Sequence, residues 1–163
     1  MKIVASNKKA YHNYFILDTV EAGLELFGWE VKSARANKVS LLESFVYISQ
    51  RDAGPNTLRS SSAKTQAYLK NSHFANYEHG VVKEQDVRRS RKLLLNRHQI
   101  DKFHKAVATK GVTCIVTKVY FNKRGLLKAE VALAKGKQTF DKKQVLKERD
   151  LKRDAERDIK NRS

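Results

Sequence analysis

VTCIVTKVYFNKRGLLKAEVALA, residues 112–134, is the stretch on which the fold turns. Two apolar runs flank Asn122-Lys123-Arg124-Gly125, a turn sequence whose Gly tolerates positive φ, so the segment reads as a β-hairpin. In its second arm Leu127, Ala129, Val131 and Leu133 alternate with Lys128, Glu130 and Ala132. A period of two puts the first set on one face and the second on the other, so one face is buried and the other carries charge.

Working outward, the same period recurs. YFILDTVEAGLELF (14–27) alternates in apolar residues until Val20 and Gly23 break the phase, which predicts a long strand bent by a bulge at that point. LESFVYIS (42–49) opposes Phe45 and Tyr47 to Val46 and Ile48, and TQAYLKNSHFANY (65–77) offers a further short strand. Helical spacing with an apolar face shows in two places. In GWEVKSARANK (28–38), Trp29, Ser33 and Ala36 fall three or four apart. NRHQIDKFHKAVATKG (96–111) is a stronger helix: Asn96 and Gln99 suit a capping box, Gly111 is placed to close the C-terminus, and Ile100, Phe103 and Val107 form the inward face. RDAGPNTLRSSSAK (51–64) holds the single Pro and a Ser run and reads as a loop. KEQDVRRSRK (83–92) reads as an exposed basic loop. The pattern is mainly β with peripheral helices, and it predicts a small closed antiparallel β-barrel of OB type, since open edges on such a sheet invite pairing with other chains.

Charge narrows the function. Among 163 residues, 34 Lys+Arg face 17 Asp+Glu, a formal net charge of +17. So large a charge repels itself in a compact chain and calls for a polyanion, with nucleic acid ahead of an anionic membrane. No segment reaches the length of a membrane span or a signal-peptide core, and the single cysteine, Cys114, cannot form an internal disulfide. Both features fit a cytoplasmic protein.

Catalytic patterns are missing from the sequence. There is no G-x-S-x-G, Walker loop or H-E-x-x-H, and Cys114 lies in an apolar strand where a thiol acts as a small hydrophobe. His98 and His104 are six apart and do not share a helix face, so the five histidines predict no metal site and no cofactor. Glu21, Glu25 and Glu30 lie close in sequence and admit three readings: a metal-dependent nuclease, structural ion pairs, or a carboxylate that accepts hydrogen bonds from a guanine edge or a 2′-OH. The positive signal is basic runs interleaved with aromatics. Lys8, Lys9 and His12 stand beside Tyr11 and Tyr14, Arg91 and Lys92 belong to RRSRKLLLNR (88–97), and Lys128 follows Tyr120 and Phe121. Cations neutralise phosphates and aromatic faces stack on unpaired bases.

Several motifs in fixed order then resemble one family. NKKA-H-YFI (7–16), EAGLEL-GWEVKS-RANK (21–38), RKLLLN (91–96), K-YF (118–121), ALAKGK---DK (132–142) and LKERD (146–150) are similar to the SsrA-binding proteins, which partner transfer-messenger RNA in bacterial ribosome rescue. The resemblance runs from about Ile3 to the end of the chain. It implies an OB-like barrel, no catalytic activity, and binding to the tRNA-like domain of that RNA through Asn7, Glu21, Arg35, Leu94 and Lys128. It also implies as partners the small-subunit rRNA of a stalled 70S ribosome, elongation factor Tu reached through the aminoacylated RNA, no membrane, and a monomeric protein. The chain departs from the family pattern at Tyr11, where Arg is common, at DVRR (86–89) in place of DPRR, in its longer 51–64 loop, and at Phe140 in place of His.

The last segment completes the expectation of two parts, a barrel over 1–137 and a basic tail over 138–163. From Asp141 to Ser163 there are nine Lys/Arg, six Asp/Glu and only five clearly apolar residues. Five such side chains bury too little to offset the backbone entropy lost on ordering the segment, so it is expected to be disordered when free. The resemblance implies that it becomes helical in the empty mRNA channel. There Phe140, Asp141, Lys142 and Lys143 would face the decoding centre. Lys147, Arg149, Lys152, Arg153, Arg157 and Lys160 would meet RNA on several sides, and Ile159 would enter a shallow pocket. Two other functions fit the residues less well: a general ribosomal or RNA-chaperone protein, and a metal-dependent nuclease built on Glu21.

Overall fold

The computed structural model of the chain describes residues 1–49, 65–76 and 84–137. The hairpin is present: β8 (Val112–Phe121) pairs with β9 (Leu127–Gly136). Its turn is held by the Asn122 side-chain oxygen, which accepts from the N–H groups of Arg124 (2.9 Å) and Leu126 (3.0 Å), and Gly125 supplies φ +73°. The remaining strands are β1 (Lys2–Ser6), β2 (Tyr14–Leu24), β3 (Val39–Ser40), β4 (Phe45–Ser49), β5 (Gln66–Lys70), β6 (His73–Phe74) and β7 (Arg91–Leu94). Seven form one antiparallel sheet in the order β1-β8-β9-β2-β7-β5-β4, and β3 pairs with β6.

The sheet is rolled. β4 and β8 are five strand steps apart along it, about 24 Å if flat, yet their Cα atoms come within 8 Å. Among the described residues no ladder joins the end strands β1 and β4, and the OB-like roll is completed by β4 packing near β8. One bulge sits at Leu17, between Ile16 and Asp18, and another at Thr117 on β8. The expected break at Val20–Gly23 is therefore displaced. Val20 and Gly23 keep register with Val131 and Lys128, and it is the exposed Leu17 that inverts the apparent phase.

Among the described residues three helices flank the sheet: α1 (Lys8–Asn13), α2 (Gly28–Arg35) and α3 (Arg97–Val107), with a 3-10 turn at Glu84–Arg88. In α3 the Gln99 side chain accepts from the Asn96 N–H at 3.0 Å, as the capping pattern requires, and Ile100 and Phe103 are buried. Val107 is not: it is 38% exposed, and Ala106 meets the core instead. Gly111 lies beyond the helix, which ends at Val107 with Ala108 as its C-cap; with φ +84° it turns the chain into β8. The core gathers inward residues of every long strand, among them Ala22, Val46, Leu69, Leu93, Val116, Val119, Ala129 and Val131. Cys114 is buried there, which pushes its thiol up to about 12.

Candidate RNA interface

The register of the sheet assembles the outward residues into rows. Lys128 on β9 stands opposite Tyr120 on β8 and Gly23 on β2, and Gly23 stands opposite Leu94 on β7. One row over, Glu130 lies between Lys118 and Glu21. The Tyr120 hydroxyl donates to Glu21 Oε2, Lys128 Nζ lies 3.4 Å from Glu21 Oε1, and Lys118 Nζ pairs with Glu130 Oε2 at 2.8 Å. The Tyr120 hydrogen bond, aided by Lys128, holds the Glu21 carboxyl below its ordinary range. Burial and the Glu21 bond push the Tyr120 phenol up to about 12. The result is an ionised, oriented carboxylate whose side chain is still 49% exposed, on a protein of opposite net charge. Such a group accepts hydrogen bonds from a base edge or a 2′-OH.

Leu94 belongs to the same face. It is 52% exposed and covers Gly23 so closely that a Cβ there would sit 3.2 Å from Leu94 Cβ. Lys92, two residues earlier, points the same way, because Arg91 and Leu93 point inward. Asn7 is reached through β1 and β8. Its N–H donates to Thr117 O (2.7 Å), its Oδ1 caps α1 at the Ala10 N–H (3.1 Å), and its Nδ2 donates to Leu41 O (3.4 Å). Asn7 thus presents exposed Lys8 and Lys9 above a cleft of about 360 Å³, which Ser40 and Leu42 also line. His12 is exposed on α1, and Arg35 is exposed at the end of α2, outside the Glu21 network.

Arg91 corrects the reading of a solvent-facing basic loop. It is fully buried, its Nε donates to Glu30 Oε1 at 2.7 Å, and its other nitrogens serve Ser72 O, Arg89 O and Val87 O. Arg89 joins the same carboxylate and stacks on Phe27. Arg91 is therefore an internal clamp, buried away from the solvent-facing surface. For the same reason Glu21 and Glu30 do not converge: one faces solvent, the other is interior. Among the described residues no group of three or more His, Cys, Asp or Glu is placed to hold a metal ion.

Sequence reasoning passed over Lys118 and Glu130 as parts of the site and read Tyr120 only as an aromatic neighbour of the basic run. The alternation of Lys128 and Glu130 marked their face, but no local pattern shows that Tyr120 meets Glu21. Phe140, Asp141, Lys142, Lys143, Lys147, Arg149, Lys152, Arg153, Arg157, Ile159 and Lys160 lie outside the described residues.

A rolled antiparallel sheet, helices at its periphery and an outward face of lysines around one oriented carboxylate define a basic OB-like protein of the nucleic-acid-binding class. The SmpB protein family profile matches residues 4–161. The SsrA-binding protein of Caldanaerobacter subterraneus subsp. tengcongensis is 46% identical over 160 residues, covering 98% of this chain and 92% of that protein. The SsrA-binding protein of Elusimicrobium minutum shows the same identity and coverage. A chain of a solved structure described as "tmRNA-SmpB: a journey to the center of the bacterial ribosome" is 39% identical with a TM-score of 0.60, covering 86% of this chain and 92% of that one. The chain belongs to the SmpB family of SsrA-binding proteins.

Proposed function

We propose that the chain is a non-enzymatic adaptor that binds the tRNA-like domain of transfer-messenger RNA (SsrA) and delivers it to stalled ribosomes for tagging and release. The observation that carries this reading is the Glu21 carboxylate, fixed by Tyr120 and Lys128 on an exposed face of a protein with net charge +17. Lysines alone attract any RNA backbone, whereas an oriented acceptor among them discriminates by hydrogen bonding. The relatives' names, SsrA-binding protein, agree. Residues 138–163 form a second functional part, a basic arm that takes the place of absent message beyond the decoding site. Elongation factor Tu is met through the aminoacylated RNA. The work is that of the cytoplasm, where ribosomes stall, and no helix among the described residues is long and apolar enough to cross a membrane.

Competition binding tests it. The chain prefers the tRNA-like domain over unrelated structured RNA at physiological salt, and Glu21→Gln lowers that preference more than it lowers affinity for the competitor. Equal affinity for both RNAs points instead to a general RNA chaperone. RNA cleavage in Mg²⁺ or Mn²⁺ that Glu21→Gln abolishes overturns the adaptor reading in favour of a nuclease.

A further inference from the structure

The outer face does not end at Leu94. β5 follows β7 in the sheet and β4 follows β5. On β5, Ala67 and Leu69 are buried, so Gln66, Tyr68 and Lys70 point outward; on β4, Val46 is buried and Phe45 and Tyr47 are exposed. Register aligns Tyr47 with Tyr68 and Tyr68 with Lys92, and Phe45 with Lys70. Three aromatic rings and two lysines thus share one surface, with Tyr47 48% exposed at the end of the row. The Lys70 ammonium lies 4.6 Å from the centre of the Tyr47 ring, and the Tyr68 hydroxyl is tied to Gln66, which fixes that ring. From Lys128 to Tyr47 is four strand steps along the rolled sheet, about 19 Å if it were flat, and Gly23, Leu94 and Lys92 occupy the ground between.

We propose that Tyr47, supported by Phe45 and Tyr68, is a stacking platform for an unpaired base of the RNA held at Glu21 and Lys128, with Lys70 and Lys92 taking the flanking phosphates. The proposal rests on the RNA-binding reading above and extends it to a second set of contacts. Large exposed aromatics are costly on a soluble surface unless something covers them. A base has the flat π-face that tyrosine rings match, and two cations at the rim favour a polyanion over an apolar protein segment. The flexible Lys70 stem lets its ammonium move from the ring edge to a phosphate as the base arrives.

The test uses the full-length chain and tRNA-like-domain RNA substituted with 5-bromouridine. Irradiation of the wild-type complex cross-links RNA to Tyr47 or Tyr68, located by peptide mass spectrometry. Tyr47→Ala weakens binding roughly tenfold, in the range of a lost base stack. Tyr47→Phe retains wild-type affinity, and Tyr47→Leu, which keeps bulk without a π-system, behaves like Ala. The slope of log affinity on log salt is unchanged in Tyr47→Ala but falls by about one in Lys70→Ala. Trp29 fluorescence and circular dichroism report the fold of each variant, and the wild-type cross-link stands apart from all of them. Wild-type affinity in Tyr47→Ala, with no cross-link on β4 or β5, overturns the platform and leaves the adaptor reading intact. A Tyr47→Ala effect seen only as loss of a dimer in sedimentation also overturns it, in favour of a second copy on the β4 edge. Failure of the wild-type chain to bind this RNA removes the adaptor reading, and the platform falls with it.

Discussion

Arg91 and Glu30, 61 positions apart in the chain, meet in the interior at 2.7 Å with both side chains fully buried. The pair welds the start of β7 to α2, and with it the strand that carries Lys92 and Leu94. A buried charge that loses its partner is left uncompensated, which costs about 3–5 kcal/mol. Arg91→Ala and Glu30→Ala are each expected to lower stability in urea unfolding by about that amount. Lys92→Ala, on the outer side of the same strand, leaves the urea midpoint nearly unchanged and lowers the salt slope of RNA binding.

The Tyr120–Glu21 bond sets a pH window. The groups that face Glu21 are the Tyr120 hydroxyl, Lys128, Glu130 opposite it and Lys118 beyond. Glu21's folded pKa lies below its ordinary 4.5, so its contribution is complete above that value and is lost as pH falls through the depressed folded value. Tyr120 is raised to about 12, so its contribution is complete below its ordinary 10 and is lost as pH rises through about 12. In Tyr120→Phe the Glu21 carboxyl titrates at higher pH, read from its carbon chemical shift, and discrimination between RNAs drops while the fold persists.

Leu94 separates contact from folding. A buried leucine truncated to alanine loses 2–5 kcal/mol, but Leu94 is 52% exposed and packs chiefly over Gly23. Leu94→Ala is expected to leave thermal unfolding almost unmoved and to weaken RNA binding. A large loss of thermal stability with unchanged affinity of the folded fraction would show that Leu94 acts through the core.

The two functional parts predict a clean division. Truncation after Lys137 is expected to leave affinity for the tRNA-like domain nearly intact, because Glu21, Lys128, Leu94 and Asn7 all precede the cut. Peptide tagging on stalled ribosomes is lost. If the truncated chain no longer binds the RNA, the RNA surface extends into residues 138–163.

Much of this was open to a reader of the sequence. Alternation placed β9 and told its charged face from its buried one over 127–131, but not at Ala132, which is buried with Ala10 and Ile115, and the Asn96–Gln99 spacing placed the start of α3. Local reading failed where exposure and hydropathy disagree. Leu17 is apolar yet outward, which moved the expected bulge; Arg91 is charged yet inward, which turned a clamp into an expected phosphate contact.

By itself, then, the sequence determined the β-rich class, the hairpin, the basic charge and the family, because strand period, turn chemistry and net charge are local or summed properties of the chain. Only the tertiary structure decided which carboxylate faces solvent and which is held in the core. Glu21 and Glu30 are nine residues apart and alike in chemistry, but register brings Tyr120, 99 positions away, to the first. Burial of the inward side of α2 against the start of β7 brings two arginines to the second. The role of a charged group follows from the solvent and partners around it, and those arrive from distant parts of the chain only when the sheet has rolled up.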